Sequence, residues 1–564
     1  MILTTLIQTA ATLSAASNFS APNFVLLLTD DQDVRLGSMQ AMPTTRDVLV
    51  NNGANLSNFF VHTPICCPSR ATLLSGRFVQ NNRVDNNAAK GCMRMNTSRD
   101  DNPEWWLRSV PVALHGLGYR TGLFGKVLNV MKTYGCDAGG EGDRLPPGVS
   151  RQSIMCKIEY YNATFAEGDA TIAGGAVTVR TTGSLPTDYS TSIVGNASVA
   201  FVRDALANHS AQPFFVWIGP HAPHLPSTPA PWYATHAIGL LEPPREAYFN
   251  ASGAHRHAFL PDEPAINADD WKAIKTEYSN RMRSLLSVDD IVREIDAVLT
   301  AHAAWSNTYF LYLSDHGYNL GQFRVDSHKT MVYDHSTRIP AIIRGPGIAA
   351  ASELHDTGSM ADVAPTILEL AGAPSNLRAA MDGSSLAPRL LQHDTTTVRD
   401  AALITYQSIY TAPVRDAALI TYQSVRTAPV GEADAFCDAA CERDAYGYRV
   451  GPVGQTQWHA HDGPNNTFVA LRVRDPRRPH CDFLYGEFAD VTDPAAWTFP
   501  QRAINFHELY NVSTGDWMML ENVHDAAPPA LKTALRQKLH AAIACDGRDE
   551  CDAALSDVCS VLGS

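Results

Sequence analysis

Asn23–Thr29 reads NFVLLLT and runs directly into Asp30 and Asp31. A run with no charge and no polar alternation is the pattern of a strand buried on both faces, since a half-buried strand alternates. Two further stretches repeat the design. Thr308–Ser314 (TYFLYLS) ends in Asp315, His316 and Gly317, and 213–219 (PFFVWIG) runs into Pro220, His221, Ala222, Pro223 and His224. Between the runs, 192–207 and 276–300 carry apolar residues at helical spacing. Strands alternating with helices predict an α/β fold with a mainly parallel sheet. Ligands of such sheets collect beyond the carboxyl ends of the strands. Three strand ends loaded with Asp or His are therefore expected to converge on one site.

The chain has 564 residues, too many for one ordinary core, which predicts a large and a smaller domain. Hydrophobic residues at 45% and charged residues at 18% describe a folded globular protein. A formal net charge of -14 argues against a general nucleic-acid binder, which needs a basic footprint. It leaves room for an anionic substrate held by a local cluster of basic side chains and metal. The boundaries read as a catalytic domain over 17–395 and a smaller α+β domain over 396–564. The first closes after Met381, Asp382 and Gly383 with a helical turn to about Leu391; the second carries short antiparallel strands near 471–473, 483–486 and 506–510 and a final helix Pro529–Ala544. Stretches 139–148 and 223–264, rich in Gly and Pro, read as pocket-shaping loops. Residues 399–414 (RDAALITYQSIYTAPV) recur almost unchanged as 415–430 (RDAALITYQSVRTAPV). A short period present only twice is no solenoid, so one copy is expected to loop out, with no function assigned to it.

The start of the chain points to the secretory route. Residues 1–16 form an apolar run closing on the small residues Ser14 and Ala16, a cleavable signal with Ser17 as first mature residue, although no Lys or Arg precedes the run. No later stretch approaches the roughly 18 apolar residues that span a bilayer. Glycosylation sequons start at Asn18, Asn55, Asn96, Asn162, Asn196, Asn208, Asn250, Asn465 and Asn511. The eleven cysteines are Cys66, Cys67, Cys92, Cys136, Cys156, Cys437, Cys441, Cys481, Cys545, Cys551 and Cys559. If Cys66 is chemically converted, an even number remains for disulfides. Those crowded at the C-terminus would staple a fraying end.

The most specific passage is CCPSRATLLSGR from Cys66. It resembles the sulfatase signature Cys-x-Pro-Ser-Arg with a closing Gly-Arg, in which the first Cys is oxidised to formylglycine. The conversion has a chemical reason. A thiolate attacking sulfur leaves an adduct with no internal route to release sulfate. A hydrated aldehyde has two hydroxyls on one carbon: one attacks the ester, and the other, deprotonated, collapses the adduct and expels sulfate. The resemblance extends from Asn23 to about Asn522 and is similar to the N-acetylglucosamine-6-sulfatase branch, through LLLTDDQD from Leu26, GYRTGLFGKVLN from Gly118, APH from Ala222, LLSVDD from Leu285, SDHGYNLGQF from Ser314 and RGPGI from Arg344.

The resemblance implies an alkaline-phosphatase-like fold: a large mixed, mainly parallel sheet flanked by helices, plus the smaller C-terminal domain. It implies that Asp30, Asp31, Asp315, His316 and the oxygen of modified Cys66 hold a metal, Ca²⁺ with Mg²⁺ second. His316 departs from the branch, which resembles Ser-Asp-Asn-Gly there. Lys126 and Lys329 match the lysines on the sulfate and leaving oxygens, Arg70 the residue holding the aldehyde hydrate, and His224, with His221 close by, the proton donor to the leaving sugar. Leu128 and Asn129 stand where many sulfatases carry a further His. Asn86 and Asn87 resemble the branch's Val-Asn-Asn passage, with Asp85 where that passage has Val, and are the implied substrate contacts; 164–190 reads as unmatched pocket loops. The implied activity is removal of sulfate from a sulfated saccharide, with 6-O-sulfated N-acetylglucosamine in heparan or keratan sulfate foremost. The implied partner is a formylglycine-generating enzyme, and the implied location secreted or lysosomal. An arylsulfatase, a sulfatase for another polysaccharide, a phosphatase or phosphodiesterase of the same superfamily, and an inactive glycan-binding protein stay open as alternatives.

Overall fold

A computed structural model describes residues 21–561 apart from 88–91, 93–103, 130, 132–135, 137–143, 172–174, 238–241, 258–259, 261–263, 326, 393–398, 407–465, 490–503, 515 and 517. The signal segment 1–16, the sequons at Asn18, Asn96 and Asn465, Cys437, Cys441 and the second repeat copy lie outside the described residues.

The large sheet comprises β1 (Asn23–Thr29), β2 (Ala54–Leu56), β3 (Arg120–Gly125), β4 (Arg151–Lys157), β5 (Thr164–Asp169), β6 (Val177–Thr181), β7 (Phe214–Gly219), β8 (Thr308–Ser314), β9 (Ala341–Arg344) and β10 (Ser352–Leu354). Its spatial order is β10–β2–β9–β8–β1–β7–β3–β4–β5–β6. The run β8–β1–β7–β3–β4 is parallel throughout. Strand β1 lies at its heart and is buried along its whole length. Phe24, Leu26 and Leu28 enter the core on one face, and Val25 and Leu27 the core on the other. This is why its sequence does not alternate.

Helix α1 (Cys66–Ser75) packs Ala71, Leu73 and Leu74 into the first core. Helices α2 (Ser190–Asn208) and α3 (Ala268–Ala301) cover the other face through Phe201, Val202, Leu285, Val288 and Val292. Helix α3 begins earlier than its apolar spacing predicts. The Asn267 side chain accepts the N–H groups of Asp269 and Asp270, and Asp270 accepts that of Asn267, a capping box that starts the helix on a polar turn. The stretch 164–190, read from sequence as loops, instead holds β5 and β6, two antiparallel strands that extend one end of the sheet. β6 is mostly exposed, so its Thr-rich sequence carries no core signature.

The second sheet is antiparallel, in the order β11 (Ala401–Tyr406), β12 (Thr467–Arg474), β13 (Asp482–Ala489) and β14 (Ile504–Asn511). The first repeat copy therefore supplies a strand, β11. One face packs Leu403, Leu471 and Leu509 against Leu535 and Leu539 of α4 (Pro529–Ala544). The other packs Ile404, Phe468, Leu484 and Tyr510 against Phe323, Val325, Met331 and Tyr333 of the first part of the chain. Disulfides join Cys67 to Cys92, Cys136 to Cys156, Cys481 to Cys559 and Cys545 to Cys551; the last two secure the C-terminal helices as expected. Among the described residues only Cys66 is free. No described helix is long and apolar enough to cross a membrane.

His62, in the segment that leads into α1, ties that segment to β11. Its Nδ1 donates to the Leu403 oxygen at 2.9 Å, and its own carbonyl accepts the Thr405 N–H at 2.7 Å. Burial pushes its pKa from 6.5 down to about 4, against the opposing Leu403 bond. The unfolded chain thus takes up a proton that native His62 refuses. The stability this neutral imidazole contributes is complete above about pH 6.5 and is lost as pH falls towards 4, on the order of 3 kcal/mol at full effect. The melting temperature is expected to drop across that window. In His62→Asn, scanning calorimetry is expected to find a shallower slope there.

Candidate active site

Parallel register brings the polar strand ends to one line. Thr29 pairs with Ser314 and Leu27 with Ile218, which sets Asp30 level with Asp315 on one side and His221 on the other. Gly125 pairs with Gly219, and Lys126 N–H donates to the Gly219 oxygen at 2.7 Å. A Cβ on either glycine would collide with the neighbouring backbone, so only glycine lets β3 and β7 approach closely where they deliver Lys126 and His221.

Cys66 opens α1, a helix buried along its length although it carries Ser69, Arg70, Thr72 and Ser75. Asn87 Oδ1 accepts the Cys67 N–H at 2.8 Å, satisfying one of the unpaired donors of a helix start. The Ser69 hydroxyl donates to the Asp315 carbonyl. So held, Cys66 Sγ stands 3.5 Å from His316 Nε2, 3.7 Å from Lys329 Nζ and 3.9 Å from Asp30 Oδ1. Arg70, one turn on, donates through Nε to Asp315 Oδ2 at 2.8 Å and through Nη1 to the Lys126 carbonyl at 2.7 Å. Its Nη2 lies 3.5 Å from Asp30 Oδ1 and makes no hydrogen bond although buried. Lys126 Nζ donates to Asp30 Oδ2 at 2.6 Å and Lys329 Nζ to Asp31 Oδ1 at 2.7 Å.

Asp30, Asp31, Cys66 and His316 each offer one ligand atom, all within 4.8 Å of one another. His316 donates from Nδ1 to the Gly317 oxygen at 3.0 Å, which leaves the Nε2 lone pair of the neutral ring for a cation. Two hard carboxylates with one imidazole fit a divalent ion, and an oxygen in place of the Cys66 sulfur would fit it better. Asp315 stands beside this cage. Its Oδ1 accepts the Asp31 N–H at 3.0 Å and lies 3.6 Å from His316 Nε2, while Oδ2 is held by Arg70.

The electrostatics follow from desolvation against close partners. Burial opposes ionisation of Asp30, yet Lys126, then His224 and Arg70, outweigh it and hold the carboxyl well below its ordinary range. Asp31 is likewise lowered: His224, Lys329 and His316 overcome its burial. Burial wins at Asp315, pushed up to about 6 despite His316 and Arg70. Against its own burial, His316 is raised to about 9 by Asp315 and Asp31. The Cys66 thiol falls well below its usual value because Lys126 and Lys329 outweigh burial.

His224 donates from Nδ1 to the Leu225 oxygen at 2.6 Å, so Nε2 faces the site, 3.8 Å from Asp31 Oδ2. Its ring stacks at 4.7 Å on His221, and its carbonyl accepts the Tyr160 hydroxyl at 2.8 Å. Sequence reasoning placed His221 only as a neighbour of His224. The structure gives it a contact of its own: Nδ1 is 3.3 Å from Asp30 Oδ2, and burial lowers its pKa to about 4, so it stays neutral. Arg281 and Tyr160 were not legible at all. Asn87 is committed through its carbonyl to α1, and Asn86 donates to Asp85 Oδ1 at 2.7 Å. Leu128 is buried in the apolar core, and the Asn129 N–H meets the Cys67 sulfur at 3.1 Å.

Comparison with known proteins gives a concordant set of matches. The family profile described as Sulfatase matches residues 22–373. The N-acetylglucosamine-6-sulfatase of Capra hircus is 31% identical over 540 residues, 94% of this chain and 85% of that protein. Its Homo sapiens counterpart is 30% identical over 538 residues, 94% and 86% of the two chains. A solved structure described as a complex with its substrate D-glucosamine-2-N,6-O-disulfate superposes with a TM-score of 0.63 at 19% identity, covering 92% of this chain and 97% of that one. At that identity it speaks for the fold alone.

Calcium or magnesium is expected to raise the melting temperature of metal-stripped protein in proportion to the logarithm of its concentration. Asp31→Asn is expected to abolish most of that rise. Affinity is expected to fall in acid, because His316, raised to about 9, must shed its proton to bind. Calorimetric titration of the metal at several pH values checks all three.

Proposed function

The chain belongs to the sulfatase family, and from that premise we propose that it removes the 6-O-sulfate of N-acetylglucosamine in glycosaminoglycans such as heparan or keratan sulfate, using a formylglycine made from Cys66. The position of Cys66 carries the reading. A structural thiol sits among apolar groups or in a disulfide; this one is free, buried and surrounded by Lys329, His316 and Asp30. The two N-acetylglucosamine-6-sulfatases, alike over 94% of this chain, support the sugar and the position of its sulfate.

Formylglycine, hydrated, supplies two hydroxyls on one carbon, one to take the sulfuryl group and one to expel it as sulfate; a divalent cation, Ca²⁺ or else Mg²⁺, supplies positive charge beside the sulfate oxygens. Asp30, Asp31 and His316 would hold that cation with the oxygen at position 66, and Asp315 would support them. The charge balance favours the substrate. Three carboxylates, Asp30, Asp31 and Asp315, face three permanent cations, Arg70, Lys126 and Lys329. Any added dication turns the pocket positive inside a protein of net charge -14, which suits a sulfate monoester. Arg70 Nη2, which makes no hydrogen bond, suits an oxygen on the residue-66 side chain. Lys126 and Lys329, freed from the carboxylates, reach the sulfate oxygens and the leaving oxygen. With Nδ1 fixed on Leu225, His224 carries its mobile proton on Nε2 and gives it to the departing sugar oxygen. Disulfides and the exposed sequon residues Asn162, Asn196 and Asn208 support a secretory route, ending outside the cell or in the lysosome, with a formylglycine-generating enzyme met on the way.

Mass spectrometry of the tryptic peptide spanning Cys66, from protein made with its maturation enzyme, is expected to find an aldehyde where the thiol was. An unmodified thiol in fully active protein would overturn the mechanism. Cys66→Ala is expected to abolish turnover, and Lys126→Ala to lower kcat by about 10²–10³-fold, with both folds intact by circular dichroism. Among sulfated sugars and paired phosphate esters, 6-sulfated N-acetylglucosamine is expected to be cleaved fastest.

A further inference from the structure

Arg281 lies in mid-helix on α3 and is fully buried. Its guanidinium donates from Nη2 to the backbone oxygen of Asp31 at 2.7 Å and to Asp33 Oδ1 at 3.0 Å. Nη1 lies 3.5 Å from the backbone oxygen of Pro223, the residue before His224. The charge rests 4.0 Å from the centre of the Tyr318 ring, and Tyr318 is fixed in turn by its hydroxyl bond to Glu277 Oε1 at 2.8 Å, one helical turn before Arg281. One buried cation therefore touches the loop bearing the acidic ligands and the loop bearing the proton donor.

Asp31 needs such a support. Its φ is 69°, in the left-handed region that side chains other than glycine enter only when the surroundings impose it. Two contacts impose it here: its N–H is held by Asp315 Oδ1 and its carbonyl by Arg281. That conformation aims the Asp31 carboxylate at Lys329 and His316. A buried arginine whose purpose was only to pair with Asp33 would have no need of carbonyls from two separate loops.

We propose that Arg281 is a positioning residue that clamps Asp31 in its cation-binding conformation and fixes its offset from His224, an assignment that rests on the cation site proposed above. The groups that support ligands in this way typically alter metal affinity by about 10–100-fold when removed. Full-length protein stripped of metal is titrated with calcium, then magnesium, by calorimetry, with melting temperature and circular dichroism followed in parallel. Arg281→Lys keeps the charge but cannot reach both carbonyls, and is expected to weaken metal binding about tenfold or more while the spectrum stays native. Its kcat is expected to fall more than KM rises, because the ligand cage and the proton donor lose their common reference. Asp33→Asn, which keeps the shape and loosens the guanidinium, is expected to act in the same direction with a smaller effect, and serves if the arginine variant fails to fold. Wild-type metal affinity in either folded variant overturns the proposal. The titration needs no turnover. Wild-type protein that binds calcium without cleaving sulfate esters would refute the proposed reaction, while the variants would still decide the clamp.

Discussion

Three carboxylates and three permanent cations are packed together at the carboxyl edge of one parallel sheet, and the rest of the molecule is arranged to make that tolerable. A buried charge without a partner is costly enough to change its protonation or unfold the protein. Here every carboxylate has a cationic neighbour within hydrogen-bond or ion-pair reach: Asp30 has Lys126 and Arg70, Asp31 has Lys329, and Asp315 has Arg70. The balance is incomplete at Asp315, whose carboxyl stays raised to about 6, and at Arg70 Nη2, which has no hydrogen bond. Both shortfalls border Cys66 and the Asp30, Asp31 and His316 cage, the places proposed above for an oxidised side chain and a cation. A site tuned to be complete only with its ligands is what preorganised electrostatic catalysis requires.

That cluster explains the second sheet. Lys329 leaves a segment whose apolar residues, Val325, Met331 and Val332, have no place in either core of the large sheet. They pack against one face of β11–β14, and Glu508 on β14 accepts hydrogen bonds from the His257 N–H at 2.7 Å and the Tyr333 hydroxyl at 3.0 Å. Arg472 on β12 donates to Asp334 Oδ1 at 2.9 Å. A flexible lysine loses much rotamer entropy when fixed, and a loop alone would not hold it in register with Cys66. The C-terminal sheet is thus a buttress for one wall of the site.

The histidines divide labour by their tautomers. His316 and His224 each commit Nδ1 to a backbone oxygen and turn Nε2 towards the carboxylates. His221 does the reverse, giving Nδ1 to Asp30. Imidazoles lying so close together thus carry separate duties because different hydrogen bonds fix each ring.

What the sequence determined by itself was the α/β architecture and the chemistry. Short uncharged runs that do not alternate, such as Asn23–Thr29, suit strands buried on both faces, and the Cys66 passage points to its reaction through its resemblance to the sulfatase signature. It misread 164–190, since an exposed edge strand has no apolar signature to distinguish it from a loop, and it placed the start of α3 late, because the capping turn at Asn267 is polar. Tertiary structure alone decided the partnerships. Register between strands nearly three hundred residues apart in the chain put Asp30 beside Asp315, and the packing of α3 put Arg281 beneath Asp31. Register and interhelical packing are settled by the whole hydrophobic interior at once, whereas a local stretch of chain encodes only which face it must bury.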